Sequence, residues 1–299
     1  MELKQARGNT WYLADMQLIP LYRLDEHRCI LLDSGMYAQR ALLDRALGRE
    51  GLIPVGILGS HSHFDHSSNH RYLQQRYQIP VAMSLAEAAL ASTPETLKTM
   101  FFAHSPAEFL ADAQGVRHME VRCDRVILPE EREVTLGGVR FEIVPTPGHS
   151  AGHISVRTPD DVLYLADAMM AGRELEQAKL PYHFNHMRAL ETLEHLKSVP
   201  AACYLAAHRG VLPELGDLPD QNIAKIRDRA EQILALLSQP VHICELTRLV
   251  CQHFGLHSSR PELAAKYERN VRTYLDYLRD TGRVDTILRD GVFYYQRKD

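Results

Sequence analysis

The chain has 299 residues, 45% of them hydrophobic and 24% charged, with a formal net charge of −4. That length buries a large core and favours a division into two units. The balance of charge leaves no overall basic excess of the kind that marks nucleic-acid binding. Five cysteines, at 29, 123, 203, 244 and 251, form no CxxC pair and read as reduced thiols of a cytoplasmic protein. The opening Met1–Arg7 stretch has no apolar signal region, and no run is apolar enough to cross a membrane, so no membrane partner is expected.

In chain order, Trp11–Leu13, Leu18–Leu24 and Cys29–Asp33 predict an opening meander, with Asp33-Ser34-Gly35 turning its end. Ala38–Gly48 predicts a helix closed by Gly48. Ile53–Leu58 predicts a buried strand, followed at once by His61-Ser62-His63-Phe64-Asp65-His66. Arg71–Tyr77 predicts a helix, with His70 expected partly exposed at its start. Val81–Ser84 reads as a short strand, Leu85–Ala91 as a helix, and Thr96–Gln114 as a helical insertion with an apolar patch at Met100-Phe101-Phe102. Strands resume near Val121. Val139–Val144 alternates and leads to Pro147-Gly148-His149, Leu163–Ala166 ends in Asp167, and Tyr204–Ala207 ends in His208. Val211–Pro219 reads as a linker because its prolines discourage helix.

Three imidazoles and a carboxylate within six residues, at 61–66, have the chemistry of a metal site. These donors suit Zn²⁺, Mn²⁺ or Fe²⁺. In extended backbone His61 and His63 point to one side and can hold one ion. A turn after them can aim Asp65 and His66 at a second. The later polar residues also stand where apolar strands stop, which is where open α/β sheets collect their sites.

With these residues in place, the sequence resembles the metallo-β-lactamase-fold hydrolase superfamily. Its pattern His-x-His-x-Asp-His, then His, then Asp, then His is met at His61, His63, Asp65, His66, His149, Asp167 and His208, across about residues 10–210. The resemblance implies an α/β fold, an αββα sandwich with two mixed β regions covered by helices. It implies two divalent metal ions, Zn first, with Fe or Mn as alternatives. His61, His63 and His149 would hold one ion, Asp65, His66 and His208 the other, and Asp167 would bridge. Two ions about 3.5–4 Å apart can share a water, lower its pKa and present hydroxide at neutral pH. Asp65 would additionally orient that hydroxide, a catalytic role. His63 stands where the flavo-diiron branch has Glu, so hydrolysis is the expected chemistry. None of the cysteines occupies a ligand position. The antibiotic-degrading branch is usually exported, and the missing signal region counts against it.

His153 is expected to orient its loop rather than bind metal. His104, His183 and His186 lie in segments that face the substrate cleft in this superfamily, yet each is read as an ordinary surface histidine. The compact run Tyr182-His183-Phe184-Asn185-His186 is a hypothetical substrate contact, and the insertion at 96–114 either packs on the body or forms a lid.

Beyond the linker, Asn222–Ser238, Ile243–Phe254 and Pro261–Asp280 predict three helices, the second stopped by Gly255. Asp285–Leu288, a turn at Arg289-Asp290-Gly291 and Val292–Tyr295 predict a hairpin. Together they resemble a winged helix, a module that proteins similar to lactamase-like protein 2, including an endoribonuclease, carry after the same catalytic domain. The expected domains are 1–215, catalytic, and 220–299, winged-helix-like. Arg269, Arg272, Arg279, Arg283, Arg289, Arg297 and Lys298 could meet phosphates. However, residues 220–299 hold 13 Lys+Arg against 11 Asp+Glu, and a solvated face, a cleft-shaping module or a homodimer contact is preferred.

Three function classes follow. The leading one is a di-metal hydrolase that directs hydroxide at a small ester, thioester or lactone, with a small-molecule substrate. True glyoxalase II has a different C-terminal domain, so glutathione thioester is not singled out. The alternative is a metal-dependent endoribonuclease or phosphodiesterase whose winged-helix module grips nucleic acid. The third is a DNA-binding regulator with a vestigial metal domain, which would not need all seven ligands.

Overall fold

A computed structural model describes residues 1–98, 116–257 and 259–298. Strands β1 (Glu2–Arg7), β2 (Thr10–Ala14), β3 (Ile19–Arg23) and β4 (Arg28–Leu32) make an antiparallel meander. β1 escapes the sequence reading because it is mostly exposed and has no apolar alternation. Helix α1 (Arg40–Glu50) crosses to β5 (Ile53–Leu58), which pairs parallel with β4. The helix runs through Gly48, and its left-handed cap is Gly51, with φ +63°.

The single turn α2 (Phe64–Ser67) and helix α3 (His70–Tyr77) lead to β6 (Val81–Ser84), α4 (Leu85–Ala91), α5 (Pro94–Lys98) and β7 (Arg125–Ile127). β6 and β7 extend the first sheet in parallel, completing seven strands in chain order. The return to strand comes at Arg125 rather than near Val121. Most of the expected 96–114 helix, its Met100-Phe101-Phe102 patch and His104 lie outside the described residues.

The second sheet contains β8 (Glu133–Leu136), β9 (Val139–Pro145), β10 (Ile154–Arg157) and β11 (Val162–Ala166), then, after α6 (Arg173–Gln177) and α7 (His186–Leu196), β12 (Cys203–Ala206) and β13 (Gly210–Leu212). Its strands pair antiparallel except β11 with β12, which the two helices connect as a crossover. The inner faces of both sheets meet through Leu32, Leu58, Phe141, Ile143, Tyr164 and Leu205, all buried. Leu31, Leu43, Leu47 and Leu73 pack helices on the outside of the first sheet. Leu163, Leu165 and Leu193 do the same outside the second. This is the expected αββα sandwich. Its binary pattern explains it, since inner strands such as β11 are buried on both faces and read as unbroken apolar runs.

The C-terminal region comprises α8 (Leu218–Ala235), β14 (Val241–His242), α9 (Ile243–His253), α10 (Pro261–Asp280), β15 (Val284–Arg289) and β16 (Val292–Arg297), with a sheet ordered β14-β16-β15. The hairpin turns through Asp290 at φ +50° and Gly291 at φ +78°, the left-handed pair that a two-residue loop demands. The linker reading needs correction. Gly210–Leu212 is an edge strand on β12, and Pro219 sits in the first turn of α8, where a missing N–H costs little. No helix among the described residues is long and apolar enough to cross a membrane.

The helices and hairpin fall close to where the sequence places them; their assignment as a winged helix, and the division into 1–215 and 220–299, stand as proposals. One buried apolar cluster runs from Leu165, Leu193 and Tyr204 through Ile226 and Ile233 into Leu246, Tyr274 and Leu278. A chain ending at residue 215 would therefore uncover the α7 face that α8 covers. At about 1.5–3 kcal/mol for each large apolar side chain exposed, we expect a lowered melting temperature and a broadened transition in calorimetry. An unchanged, sharp transition would show that the two halves have separate cores.

Candidate metal centre

The ends of the strands supply the site. Asp33 follows β4, His61 and His63 follow β5, His149 follows β9, Asp167 follows β11 and His208 follows β12. His63 is extended (φ −73°, ψ 153°) and caps α2, whose first turn then presents Asp65 and His66. Gly148 packs its backbone against α7: an added Cβ would lie 2.4 Å from the Ala189 backbone, at a φ of +134°. Only glycine can bring the chain this near before His149. The Asn185 and Phe184 N–H groups donate to the Gly148 and His149 carbonyls at 3.0 and 3.2 Å, fastening the loop from its other side.

All seven donors predicted from the sequence converge. They form two groups, His61, His63 and His149, and Asp65, His66, Asp167 and His208; within each, one donor atom per residue lies within 4.8 Å of the others. In the first group, His63 Nδ1 is 3.1 Å from His61 Nε2 and 2.8 Å from His149 Nε2. Asp167 stands between the groups. Its Oδ2 is 3.3 Å from His149 Nε2 and 3.9 Å from His61 Nε2, whereas Oδ1 is 3.2 Å from His66 Nε2 and 3.5 Å from His208 Nε2. Asp65 Oδ2 lies 3.7–3.8 Å from the Nε2 atoms of His208 and His66. The buried His66 Nε2 and Asp167 Oδ1 make no hydrogen bond of good geometry. Donors aimed at one another without bonding are arranged for a cation, and imidazole with carboxylate fits a borderline divalent ion.

Buried carboxylates that the sequence reading missed hold this array. Asp33 is buried and accepts four hydrogen bonds: Ser60 N at 2.7 Å, Ser60 Oγ at 2.6 Å, Tyr164 OH at 2.7 Å and His66 Nδ1 at 2.8 Å. The last fixes the His66 tautomer so that Nε2 faces inward. Glu87, also buried, accepts from Ser62 N and Oγ at 2.8 and 2.6 Å through one oxygen. Its other oxygen accepts from Ser150 Oγ and Gly152 N at 2.7 and 2.8 Å. It therefore ties the 61–63 loop to the 149 loop. Neither residue belongs to the histidine pattern. The only sequence signal for Asp33 is its place at a strand end before Ser-Gly, and Glu87 gives none.

Other histidines divide clearly. His153 is buried and orients, as expected: its Nδ1–H bonds Thr146 Oγ1 at 2.8 Å and its Nε2 accepts the Asp167 N–H at 3.2 Å. His70 is not partly exposed but fully buried, with Nδ1 2.6 Å from Ser34 Oγ. His183 and His186 are likewise not surface residues, being 5% and 1% exposed. Their rings continue inward from His149, and His186 lies against Tyr274 at 3.9 Å between centroids. Helix α7 begins with His186 and turns that face toward α10, which the sequence pattern around Tyr182 does not disclose.

Burial and neighbouring charge set the protonation states. Burial and the surrounding imidazoles hold His61 well below the ordinary histidine value; burial does the same at His149, against the pull of Asp167. His70, His153 and His183 are each pushed down to about 4, chiefly by burial. His66 goes the other way: burial lowers it, but the charges of Asp167 and Asp65, the close approach of Asp167 and the bond to Asp33 raise it well above normal. Burial would raise Asp167, yet His66, His208 and His149 hold it well below the usual carboxylate range. Neutral nitrogen donors thus gather on one side and anion-supported donors on the other.

A family model described as the Metallo-beta-lactamase superfamily matches residues 15–208. The chain belongs to that superfamily. Among curated proteins it is 25% identical over 158 residues to the probable metallo-hydrolase YqgX of Bacillus subtilis, covering 50% of this chain and 65% of that protein. It is 27% identical over 223 residues to a hydroxyacylglutathione hydrolase of Mesorhizobium japonicum, covering 69% and 72%. A metallo-beta-lactamase family protein from Thermus thermophilus superposes with a TM-score of 0.72 at 21% identity, over 97% of this chain and 99% of that one. A beta-lactamase domain protein from Burkholderia ambifaria gives 0.73 at 18% identity, over 99% and 94%. These two structures speak to the fold alone. The superfamily and the metallo-hydrolases among its curated relatives support a hydrolase, and the residues present fit divalent metal ions.

Replacing Asp33 by Asn substitutes a donor for one of two oxygens that accept four bonds. For a partner that orients a metal-binding histidine, we expect metal affinity in competition with a chelator to fall by about 10–100-fold. Retention of wild-type affinity by Asp33→Asn would mean that His66 needs no such anchor.

Proposed function

We infer that the chain is a metal-dependent hydrolase of a small carbonyl substrate, a thioester first and otherwise an ester or lactone. One observation carries this reading: each Asp167 oxygen faces a different donor group. His61, His63 and His149 would hold one divalent ion, Asp65, His66 and His208 a second, and Asp167 both, with Zn²⁺ as first expectation and Fe or Mn as alternatives. A pair of divalent ions in such a site supplies an acidified water as nucleophile and polarises the carbonyl oxygen. The protein's own residues supply order. Asp33 holds the His66 ring in one tautomer, His153 holds the Asp167 backbone, and Asp65 would orient the attacking water. The thioester preference rests on the Mesorhizobium relative, whose name states that it hydrolyses hydroxyacylglutathione. That protein is only 27% identical, and glutathione itself is not carried over.

A ribonuclease reading needs cationic groups free to meet phosphates. Among the described residues, Arg272 is bonded to Glu268, Arg283 to Glu231 through both terminal nitrogens, Arg279 lies 3.7 Å from Asp276, and Lys298 3.8 Å from Asp285. Acids thus stand beside four of the seven cations singled out in the sequence, which weighs toward the carbonyl reading.

Turnover on matched panels of thioesters and lactones, against single-stranded RNA and bis-phosphodiesters, tests the choice with metal-quantified protein. Carbonyl hydrolysis abolished by chelator is expected; chelator-sensitive RNA cleavage alone would reverse the conclusion. Asp167→Asn should lose metal content and turnover together, with kcat reduced by a factor of at least about 100, in the range seen when one electrostatic group is removed. Full metal content with full turnover in that variant would remove the bridge from the mechanism.

A further inference from the structure

The open strand edges of the molecule are guarded unequally. Such an edge invites another strand, and brevity, charge or a bulge keeps it from pairing. In the two large sheets β7 and β13 are three residues long and β8 is four. β1 is six long but is broken by a register shift between Gln5 and Arg7. In the C-terminal sheet β14 has two residues. β15 stands apart: its six residues keep unbroken register with β16, and among the described strands it pairs with no other.

The ladder shows which backbone groups of β15 face outward. Just before the strand, the Lys298 N–H donates to the Arg283 carbonyl at 2.9 Å, so the odd-numbered positions bond across to β16. Bonded positions alternate in an antiparallel pair, and the N–H and C=O groups of Val284, Thr286 and Leu288 therefore point away from the sheet. The far end of the hairpin is apolar. Leu288 and Phe293, directly opposite one another, are 64% and 56% exposed. They share a face with Val284 and Tyr295, which join the apolar cluster of the body. Asp285 and Arg289 flank Ile287 at equal spacing with opposite charge. Within the chain Asp285 lies 3.8 Å from Lys298, and Arg289 stacks on Tyr294 with Cζ 5.4 Å from the ring centroid. Both contacts are loose enough to coexist with a further partner.

We propose that β15 pairs antiparallel with β15 of a second copy of this chain, about a two-fold axis at Ile287, joining two C-terminal sheets into one. That register sets Asp285 opposite Arg289 of the second copy and Arg289 opposite its Asp285, so both cross-strand charge pairs attract. Thr286 then exchanges backbone bonds with Leu288 of the second copy, which is what the outward groups require. Centring on Thr286 would instead set Arg283 against Arg289, two like charges. Leu288 also comes to lie beside Thr286 of the second copy, on the face where that copy's Val284 and Tyr295 enter its own core. The exposed Leu288–Phe293 pair thereby gains apolar cover. The inference does not depend on the substrate class.

The test uses the full-length, metal-loaded chain. Sedimentation equilibrium over a dilution series should give twice the chain mass of 34.0 kDa at the upper end. Arg289→Glu makes two attractive pairs repulsive at once and should weaken dimerisation by about tenfold or more. Asp285→Arg combined with Arg289→Asp restores the pairing and should recover it. Thr286→Pro removes an outward N–H while leaving the hairpin ladder intact, and should also give monomer. Ile287→Cys reads the register directly. On the axis this position faces itself at a Cα spacing of about 4.5 Å, within disulfide reach, and mild oxidation should cross-link it. Leu288→Cys, displaced from its own copy by more than about 7 Å, should not cross-link. Wild type treated alike accounts for the exposed Cys244. A chain that stays monomeric at about 100 µM, a dimer indifferent to Arg289→Glu, or equal cross-linking in Ile287→Cys and Leu288→Cys overturns the proposal. Should Arg289→Glu or Thr286→Pro not fold, as judged by melting, the two cysteine variants decide it.

Discussion

Seven metal-type donors can share one small volume only if something else holds each of them there, because groups that all face a cation cannot bond one another. Two buried carboxylates meet that constraint. Asp33 joins the ends of β4 and β5 to His66 and, through Tyr164, to the second sheet. Glu87 joins the first histidine loop to the loop that carries His149. An ionised carboxylate without partners would be costly to bury. With four hydrogen bonds each, these two turn that cost into a geometric requirement: moving either loop would leave a buried oxygen unsatisfied. The placement of the strand ends and the His66 tautomer depend on this.

The same electrostatics divide the site in two. Burial holds His61, His63 and His149 toward the neutral imidazole, the form that can donate nitrogen to a cation. His66 and His208 stand beside Asp167, which raises both imidazoles above their ordinary value against the effect of burial, with Asp65 adding at His66 and Glu174 at His208. Asp167 touches both halves, so any proton or cation gained in one is felt in the other. A carboxylate is the side chain for that position because its two oxygens diverge. A neutral imidazole there would offer a lone pair on only one nitrogen, and so to only one half.

The seven donors are legible in the sequence because each follows an apolar strand, and a strand end fixes direction as well as position. The four-layer sandwich follows from the superfamily pattern, and most strand and helix bounds agree to within a few residues. What is not legible has a common physical cause. Asp33, Glu87 and Tyr164 act through contacts between residues far apart in the chain, and no local spacing marks them. His70, His183 and His186 depart for the opposite reason: a polar residue on a helix or in a loop is usually solvated, and tertiary packing buries all three. Gly48 was a plausible helix stop, but a glycine inside a helix costs only about 1 kcal/mol, and the turn belongs to Gly51, where φ is +63°.

The C-terminal region shows how far fold can stand from function. In a nucleic-acid-reading module, the third helix presents basic residues outward to a groove. Here Val271, Tyr274, Leu275 and Leu278 of α10 are buried in a cluster continuous with the hydrolase body, and the next strip of that helix lines the cleft beside His63. Its other faces carry Glu268 paired with Arg272 and Asp276 near Arg279. The shared apolar cluster fixes α10 to the first 215 residues and makes it one wall of the cleft beside His63.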